Sequence, residues 1–164
     1  MEYYCRIPSP LGALLLASDG EALTGLWFTD QKNAPHPEDQ SLVEPDALPA
    51  FSRTNEWLTL YWKGEVPNFL PPLKFHGTAF QQSVWNLLGS IPYGETTTYG
   101  EIARTLKNAS NGKTASARAV GGAVGRNPIS IIVPCHRVLG ANGRMTGYAG
   151  GIERKEALLK LEKH

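Results

Sequence analysis

The chain has 164 residues, 41% of them hydrophobic and four of them tryptophan, with a formal net charge of +1. This composition excludes a disordered chain, and the length fits one domain or two small ones. Two cysteines exclude a disulfide-dense scaffold, no apolar run approaches the ~20 residues of a membrane span, and the first ten residues lack a signal-peptide pattern. We therefore expect a cytoplasmic protein with reduced thiols and no membrane partner.

Charge is divided unevenly along the chain. Residues 1–77 carry a net charge of −5, and residues 78–164 carry +6. An acidic half followed by a basic half predicts two modules, of which the second would meet a polyanion such as nucleic acid. Chance variation would also produce such a difference, so charge alone leaves the partner open.

The first module reads as a small sheet followed by a helix. Three short apolar runs within residues 1–28, separated by Pro, Gly and Asp-Gly turns, predict an antiparallel meander. The polar, proline-rich residues 30–49 predict a surface loop. Residues 50–63 fit a helix ended by Gly64, with an apolar face formed by Phe51, Leu58, Tyr61 and Trp62. Three prolines in residues 66–77 indicate the connection between modules.

The second module reads as mostly helical. Thr78 and Gln81 form a capping-box pattern ahead of an apolar stripe, Phe80, Val84, Leu87, Leu88 and Ile91. A second helix start, Thr98 with Glu101, is separated by "KNASNGKT" from a third candidate helix, "ASARAVGGAVGRN". Two short helices joined by a turn predict a helix-turn-helix, and the last helix is "GIERKEALLKLEKH".

The third of these helices is unusually smooth. Its core, "ARAVGGAVG", holds three glycines and three alanines, although an interior glycine costs about 0.8–1 kcal/mol relative to alanine. Such a sequence predicts a close approach to the backbone, either by another helix or by a nucleic-acid groove. Arg118 near the helix start favours the groove, because a long cation there could reach into a duplex.

Cys135, within "IIVPCHRV", admits four interpretations. Metal ligation is disfavoured, since there is no CxxC and the four histidines show no ligand spacing. A disulfide with Cys5 would require an oxidising compartment. A buried structural thiol is the default. A nucleophile would require a base, for which His136 is adjacent, and a carboxylate to orient the imidazole, for which Glu156 is a candidate. These residues alone leave core thiol and nucleophile open.

A longer pattern is more specific. "NPISIIVPCHRVLGANGRMTGYAGG", preceded by "TYGEIA" and "ARAVGGAVGRN", resembles the O6-alkylguanine-DNA alkyltransferase family, strongly over residues 78–164 and more weakly over residues 1–77. The resemblance implies an α/β, ribonuclease-H-like N-terminal domain over 1–77, with a small antiparallel sheet and a helix. It implies a mostly α domain over 78–164, with a DNA-binding helix-turn-helix and the alkyl acceptor.

The resemblance implies a role for each matching residue. Cys135 would accept the alkyl group, His136 would act through a water as its base, and Glu156 would hold His136. Asn127 would tie the helix-turn-helix to the active-site segment, and Tyr99 would crowd the phosphate, bind the guanine edge and protonate the departing base.

Further residues would contact the base and the duplex. Val138, Tyr148 and Ala149 would line the base pocket, and Arg118 would fill the space in the stack left by the flipped nucleotide. The small residues Ala117, Ala119, Gly121 and Gly122 would let the helix enter the minor groove of double-stranded DNA.

The implied reaction is DNA repair by direct, irreversible and stoichiometric transfer of an alkyl group from O6-alkylguanine, with O4-alkylthymine as a second candidate substrate. No cofactor is implied, and no zinc is expected, because Cys5 has no second cysteine nearby. A monomer in solution is expected. Two departures from relatives are a longer segment 107–116 and Ala149 where some relatives carry serine.

Three other protein classes fit less well. Alkyltransferase-like lesion binders lack the acceptor cysteine, whereas Cys135 is present. An ordinary helix-turn-helix regulator would not need "PCHR" and would carry polar base-reading residues on its third helix. A cysteine hydrolase using Cys135 and His136 would turn over many substrates, whereas the alkyltransferase hypothesis predicts a stoichiometric end point.

Overall fold

The computed structural model describes residues 2–109 and 116–163, which form two compact units, residues 2–76 and 77–163. Most of the segment 107–116, whose length departs from the family pattern, therefore lies outside the described residues. Each unit has its own buried core and is described by itself.

The first unit contains a three-stranded antiparallel sheet. Its strands are β1 (Tyr3–Ile7), β2 (Leu14–Ser18) and β3 (Leu23–Phe28), in the order β1-β2-β3. The predicted meander is thus confirmed. Every residue of the central strand β2 is buried, as expected for a strand covered on both faces.

Helix α1 (Pro49–Trp62) packs on β2 and β3. Proline suits its first turn, and Gly64, at φ 83°, follows its end in the left-handed region. Phe51, Leu58 and Tyr61 are buried as predicted, whereas Trp62 is only partly buried. Residues 66–77, which were predicted to be a plain connection, also extend the sheet. The Leu23 N–H donates to Pro72 O at 2.7 Å, and the Lys74 N–H donates to Leu23 O at 3.0 Å.

The second unit contains four α-helices among the residues described. They are α2 (Ala79–Leu88), α3 (Tyr99–Ala109), α4 (Ala117–Gly125) and α5 (Ile152–Leu161). The predicted capping box at the start of α2 is confirmed, with Thr78 and Gln81 exchanging two bonds of 3.0 Å.

The predicted apolar stripe of α2 is only partly correct. Val84 and Leu88 are buried, but Phe80 is 38% exposed, and Trp85 is buried in its place. The Trp85 indole donates to Ala123 O at 2.8 Å, so α2 is joined to α4 by a hydrogen bond as well as by packing. A tryptophan is buried readily when its N–H finds such an acceptor.

A short parallel pair joins two distant segments of this unit. Strand β4 (Thr97–Thr98) immediately precedes α3 and pairs with β5 (Val138–Leu139), which follows Arg137. This pairing places the first residue of α3, Tyr99, near the segment that carries Cys135.

Candidate active site

The segment leading to Cys135 is held by one side chain. The Asn127 amide donates to Ile129 O at 3.2 Å and to Val133 O at 2.8 Å, and its oxygen accepts from the Ile129 N–H at 3.0 Å. Between these anchors Ile131 adopts φ 71°, a conformation that costs a β-branched residue about 1–3 kcal/mol. The Asn127 side chain therefore fixes a strained turn directly before the cysteine.

Cys135 begins a single 3-10 turn, Cys135–Arg137, and is 6% exposed. Burial raises the pKa of its thiol to about 11, although Asn127 and the Lys155 ammonium act in the opposite direction. The thiol is therefore protonated at neutral pH, and its use as a nucleophile requires a neighbouring base.

His136 has the properties of such a base. Its Nε2 lies 2.6 Å from Glu162 Oε2, and its Nδ1 is buried with no hydrogen-bond partner among the described residues. Burial lowers the pKa of His136 below its ordinary range, against the opposing effect of Glu162, so the ring is neutral at neutral pH. With the Nε2 proton on the carboxylate side, Nδ1 keeps a free lone pair.

Glu162 is shared between both residues that follow the cysteine. The Arg137 guanidinium donates through Nε to Oε1 at 2.8 Å and through Nη2 to Oε2 at 3.1 Å, and its Nη1 donates to Ile91 O at 2.7 Å. The carboxylate side chain is 1% exposed. A buried carboxylate is costly unless it is paired and hydrogen-bonded, and this one is both.

The prediction that Glu156 holds His136 is wrong. Glu156 is exposed and lines a surface groove with Met145 and Lys160. Helix α5 buries Lys155 and Leu158, and the next position on that face, four residues on, is Glu162. Glu156 lies one residue beyond Lys155, about 100° around the helix, and so faces away from the histidine.

A second network that the sequence did not reveal lies beside the cysteine. The fully buried Lys155 donates to Val138 O at 2.7 Å, to Thr146 Oγ1 at 3.0 Å and to Thr146 O at 3.3 Å. Thr146 Oγ1 lies 3.1 Å from the Tyr99 hydroxyl. Burial lowers the pKa of Lys155, while Cys135 raises it. The sequence does contain a signal for this network. Lys155 and Glu162 lie three residues before and four residues after the apolar Leu158, so all three share one face of the helix.

The three residues predicted to line a base pocket follow the cysteine. Val138 is fully buried; its N–H donates to Cys135 O, and its carbonyl accepts from Lys155. The Tyr148 hydroxyl is buried, and burial together with Cys135 raises the pKa of Tyr148 well above its ordinary value. The Tyr148 ring lies edge-on to His136, with centroids 6.4 Å apart, and Ala149 is partly buried.

Helix α4 presents a smooth exposed surface near its N-terminus. Arg118, Ala117, Ala119 and Gly122 are exposed, and a Cβ at Gly122 would meet nothing within 4 Å. A Cβ at Gly121 would lie 3.8 Å from the Tyr99 ring. Packing within the protein therefore does not require the absence of a side chain at Gly122.

Residues 2–109 and 116–163 contain neither a metal-ligand cluster nor a helix suited to spanning a membrane. No group of three or more His, Cys, Asp or Glu side chains is arranged to hold a metal ion. None of the helices there has the length and apolar character needed to span a bilayer. Both described cysteines are free.

Two family models match the chain. Residues 2–75 match the ribonuclease-like domain of 6-O-methylguanine DNA methyltransferase, and residues 79–164 match the DNA binding domain of the same family. The N-terminal α/β unit and the helical C-terminal unit correspond to these two domains.

Similar full-length proteins carry matching names. A methylated-DNA–protein-cysteine methyltransferase of Methanosarcina acetivorans is 51% identical, with 98% of this chain and 97% of that protein covered. A methylated-DNA–protein-cysteine methyltransferase of Haemophilus influenzae is 48% identical, with 98% of this chain and 86% of that protein covered. The crystal structure of the Mycobacterium tuberculosis O6-methylguanine methyltransferase superposes with a TM-score of 0.83 at 48% identity, covering 99% of this chain and 93% of that one.

We predict that Glu162→Gln lowers the free energy of unfolding by about 3–5 kcal/mol, because it removes the charge that compensates buried Arg137. Glu156→Gln, in the same helix but exposed, should change it by less than about 0.5 kcal/mol. Chemical denaturation of both variants measures the difference. Equal effects would contradict the assignment of Glu162 as the buried partner.

Proposed function

We propose that Cys135 takes an alkyl group directly from O6-alkylguanine in DNA, because the chain belongs to the 6-O-methylguanine DNA methyltransferase family. Membership gives the reaction class: the chain is a DNA-repair methyltransferase that transfers the group to its own cysteine. The assignment to Cys135 rests on one observation, the unpartnered Nδ1 of the adjacent His136. Cys5 instead lies inside β1, where burial raises the pKa of its thiol to about 12.

The thiolate forms by proton transfer to His136. A water between the Cys135 sulfur and Nδ1 would carry the proton, and Glu162 would stabilise the imidazolium that results. Lys155 adds a positive charge that favours the thiolate. This relay is needed because the thiol is buried and holds its proton at neutral pH.

The transfer itself is a single displacement. The sulfur forms a bond to the alkyl carbon while the carbon–O6 bond breaks, and the electrons of that bond pass to the guanine. Tyr99 donates a proton to the departing base. The product is a thioether that the neighbouring groups cannot hydrolyse, so each molecule reacts once and no cofactor takes part.

The reacting carbon lies inside a duplex, so the nucleotide must leave the base stack at a cost of a few kcal/mol. We assign α3 and α4 to a helix-turn-helix whose second helix enters the minor groove, with Arg118 filling the vacated space. The small exposed residues Ala117, Ala119 and Gly122 support a close backbone approach, with Gly121 beside Tyr99.

A DNA complex of a similar protein supports this partner. The Mycobacterium tuberculosis protein solved in complex with DNA superposes with a TM-score of 0.81 at 48% identity, covering 98% of this chain and 92% of that one. Val138, Tyr148 and Ala149 would line the pocket for the flipped base. A monomeric state and a cytoplasmic location stay predictions from the sequence, and O4-alkylthymine stays a candidate second substrate.

Intact-mass analysis after incubation with an O6-methylguanine duplex tests the function. We expect one added methyl group per molecule, located on Cys135 by peptide mapping. Cys135→Ala should abolish the addition, and the matched control Cys5→Ala should keep it. An unchanged mass in the wild-type protein, with Cys135 reduced, would refute the proposal.

Arg118→Ala should slow repair in duplex DNA by about tenfold, because extrusion loses roughly 1.4 kcal/mol of stabilisation. Reaction with free O6-benzylguanine, which needs no extrusion, should change by less than about twofold. Lys63→Ala removes the same charge from an exposed site in the first unit and serves as the control. Equal losses on duplex and free base would argue against the role of Arg118.

The rate of alkyl transfer to free O6-benzylguanine should depend on pH through His136. Burial lowers the pKa of His136 below its ordinary value of about 6.5, so the neutral, active form persists as the pH falls through 6.5. We expect a constant rate from pH 8 to about 6.5 and a decline only at lower pH, with circular dichroism confirming the folded state. A half-maximal rate above pH 6.5 would contradict this.

A further inference from the structure

We propose that Thr146 is a positioning residue that turns the hydroxyl proton of Tyr99 toward the departing base. The inference rests on the proposed function, in which Tyr99 protonates that base. It adds a residue whose role follows from the hydrogen-bond geometry and not from the motif around Cys135.

The donors and acceptors available to Lys155 and Thr146 determine the direction of their hydrogen bonds. An ammonium only donates, so Lys155 Nζ donates to Thr146 Oγ1 at 3.0 Å, as it does to the carbonyls of Val138 and Thr146. The Thr146 hydroxyl then has one proton to place, and its remaining contact among the described residues is the Tyr99 hydroxyl at 3.1 Å. If Thr146 donates there, Tyr99 accepts and its own proton is free to point elsewhere.

The same chain of bonds supports the charge that develops during transfer. When Tyr99 gives its proton to the base, a phenolate remains until water reprotonates it. The Thr146 hydroxyl donates to this phenolate oxygen, and the donor is polarised by the buried Lys155 ammonium behind it. Lys155 thus assists at both ends of the reaction, favouring the thiolate of Cys135 and, through Thr146, the phenolate of Tyr99.

A purely structural role for Thr146 would predict a different pattern of reduced alkylation rates across substrates. If Thr146 only held its loop in place, its hydroxyl would matter equally for every substrate. If it acts through the proton on Tyr99, its effect should grow with the need to protonate the leaving group. Free O6-benzylguanine and its 8-aza analogue differ in this respect, because the electron-poor 8-aza base departs more readily as an anion.

The experiment measures single-turnover alkylation of Cys135 by intact mass. Thr146→Val, which keeps the shape and removes the hydroxyl, should slow reaction with O6-benzylguanine by about tenfold and with the 8-aza analogue by less than about twofold. Thr146→Ser should stay within about twofold of wild type on both. Thr59→Val, an exposed threonine on α1, is the matched control and should react like wild type.

A double-mutant cycle isolates the pair. In a Tyr99→Phe background, Thr146→Val should cause no further loss, because the proton that it positions is gone. Equal slowing on both substrates, additive losses with Tyr99→Phe, or a Thr146→Ser variant as slow as Thr146→Val would each overturn the inference. So would a Thr146→Val variant as fast as wild type.

The wild-type protein distinguishes a failure of the positioning role of Thr146 from a failure of the proposed function. Alkylation of wild-type Cys135 together with an indifferent Thr146→Val would refute the positioning role and leave the proposed function intact. No alkylation of the wild-type protein by either compound or by lesion-bearing duplex would refute the proposed function and this inference with it.

Discussion

The buried carboxylate of Glu162 is the interaction on which the site depends. It binds His136 through one oxygen and Arg137 through both, and it belongs to the residue that caps the end of α5. A charge at this depth is tolerated only because it is paired and fully hydrogen-bonded. The pairing joins the last helix to the turn of Cys135 and orients the imidazole at the same time.

The second constraint is the strained turn before the cysteine. Ile131 has a left-handed backbone conformation, and the Asn127 side chain bonds the chain on both sides of it. Strain of this kind persists where the surrounding structure over-determines it. Held from one side by Asn127 and from the other by Glu162, the 3-10 turn Cys135–Arg137 has little freedom to move its thiol.

The site combines two neutral reacting groups, Cys135 and His136, with charged groups beside them. The thiol and the imidazole are both buried, which keeps each of them neutral at neutral pH, and the charged groups beside them are Glu162, Arg137 and Lys155. Arg137 and Glu162 compensate one another, whereas the hydrogen bonds of Lys155 within residues 2–109 and 116–163 go to neutral oxygens. In the proposed reaction this cation would stabilise an anion, first on the Cys135 sulfur and then, through Thr146, on Tyr99.

Sequence by itself determined the elements whose signals are local. The meander, the capping box of α2, the end of α1 at Gly64 and the Pro-Cys-His-Arg motif depend on turn residues, periodicity or a contiguous pattern, and each could be recognised without neighbours. Tertiary structure decided which carboxylate reaches His136, which of Phe80 and Trp85 enters the core, and that Lys155 and Thr146 adjoin the site. Charged helix residues face solvent by default, so only the packing of α5 around Leu158 reveals that Lys155 and Glu162 lie inside while Glu156 does not.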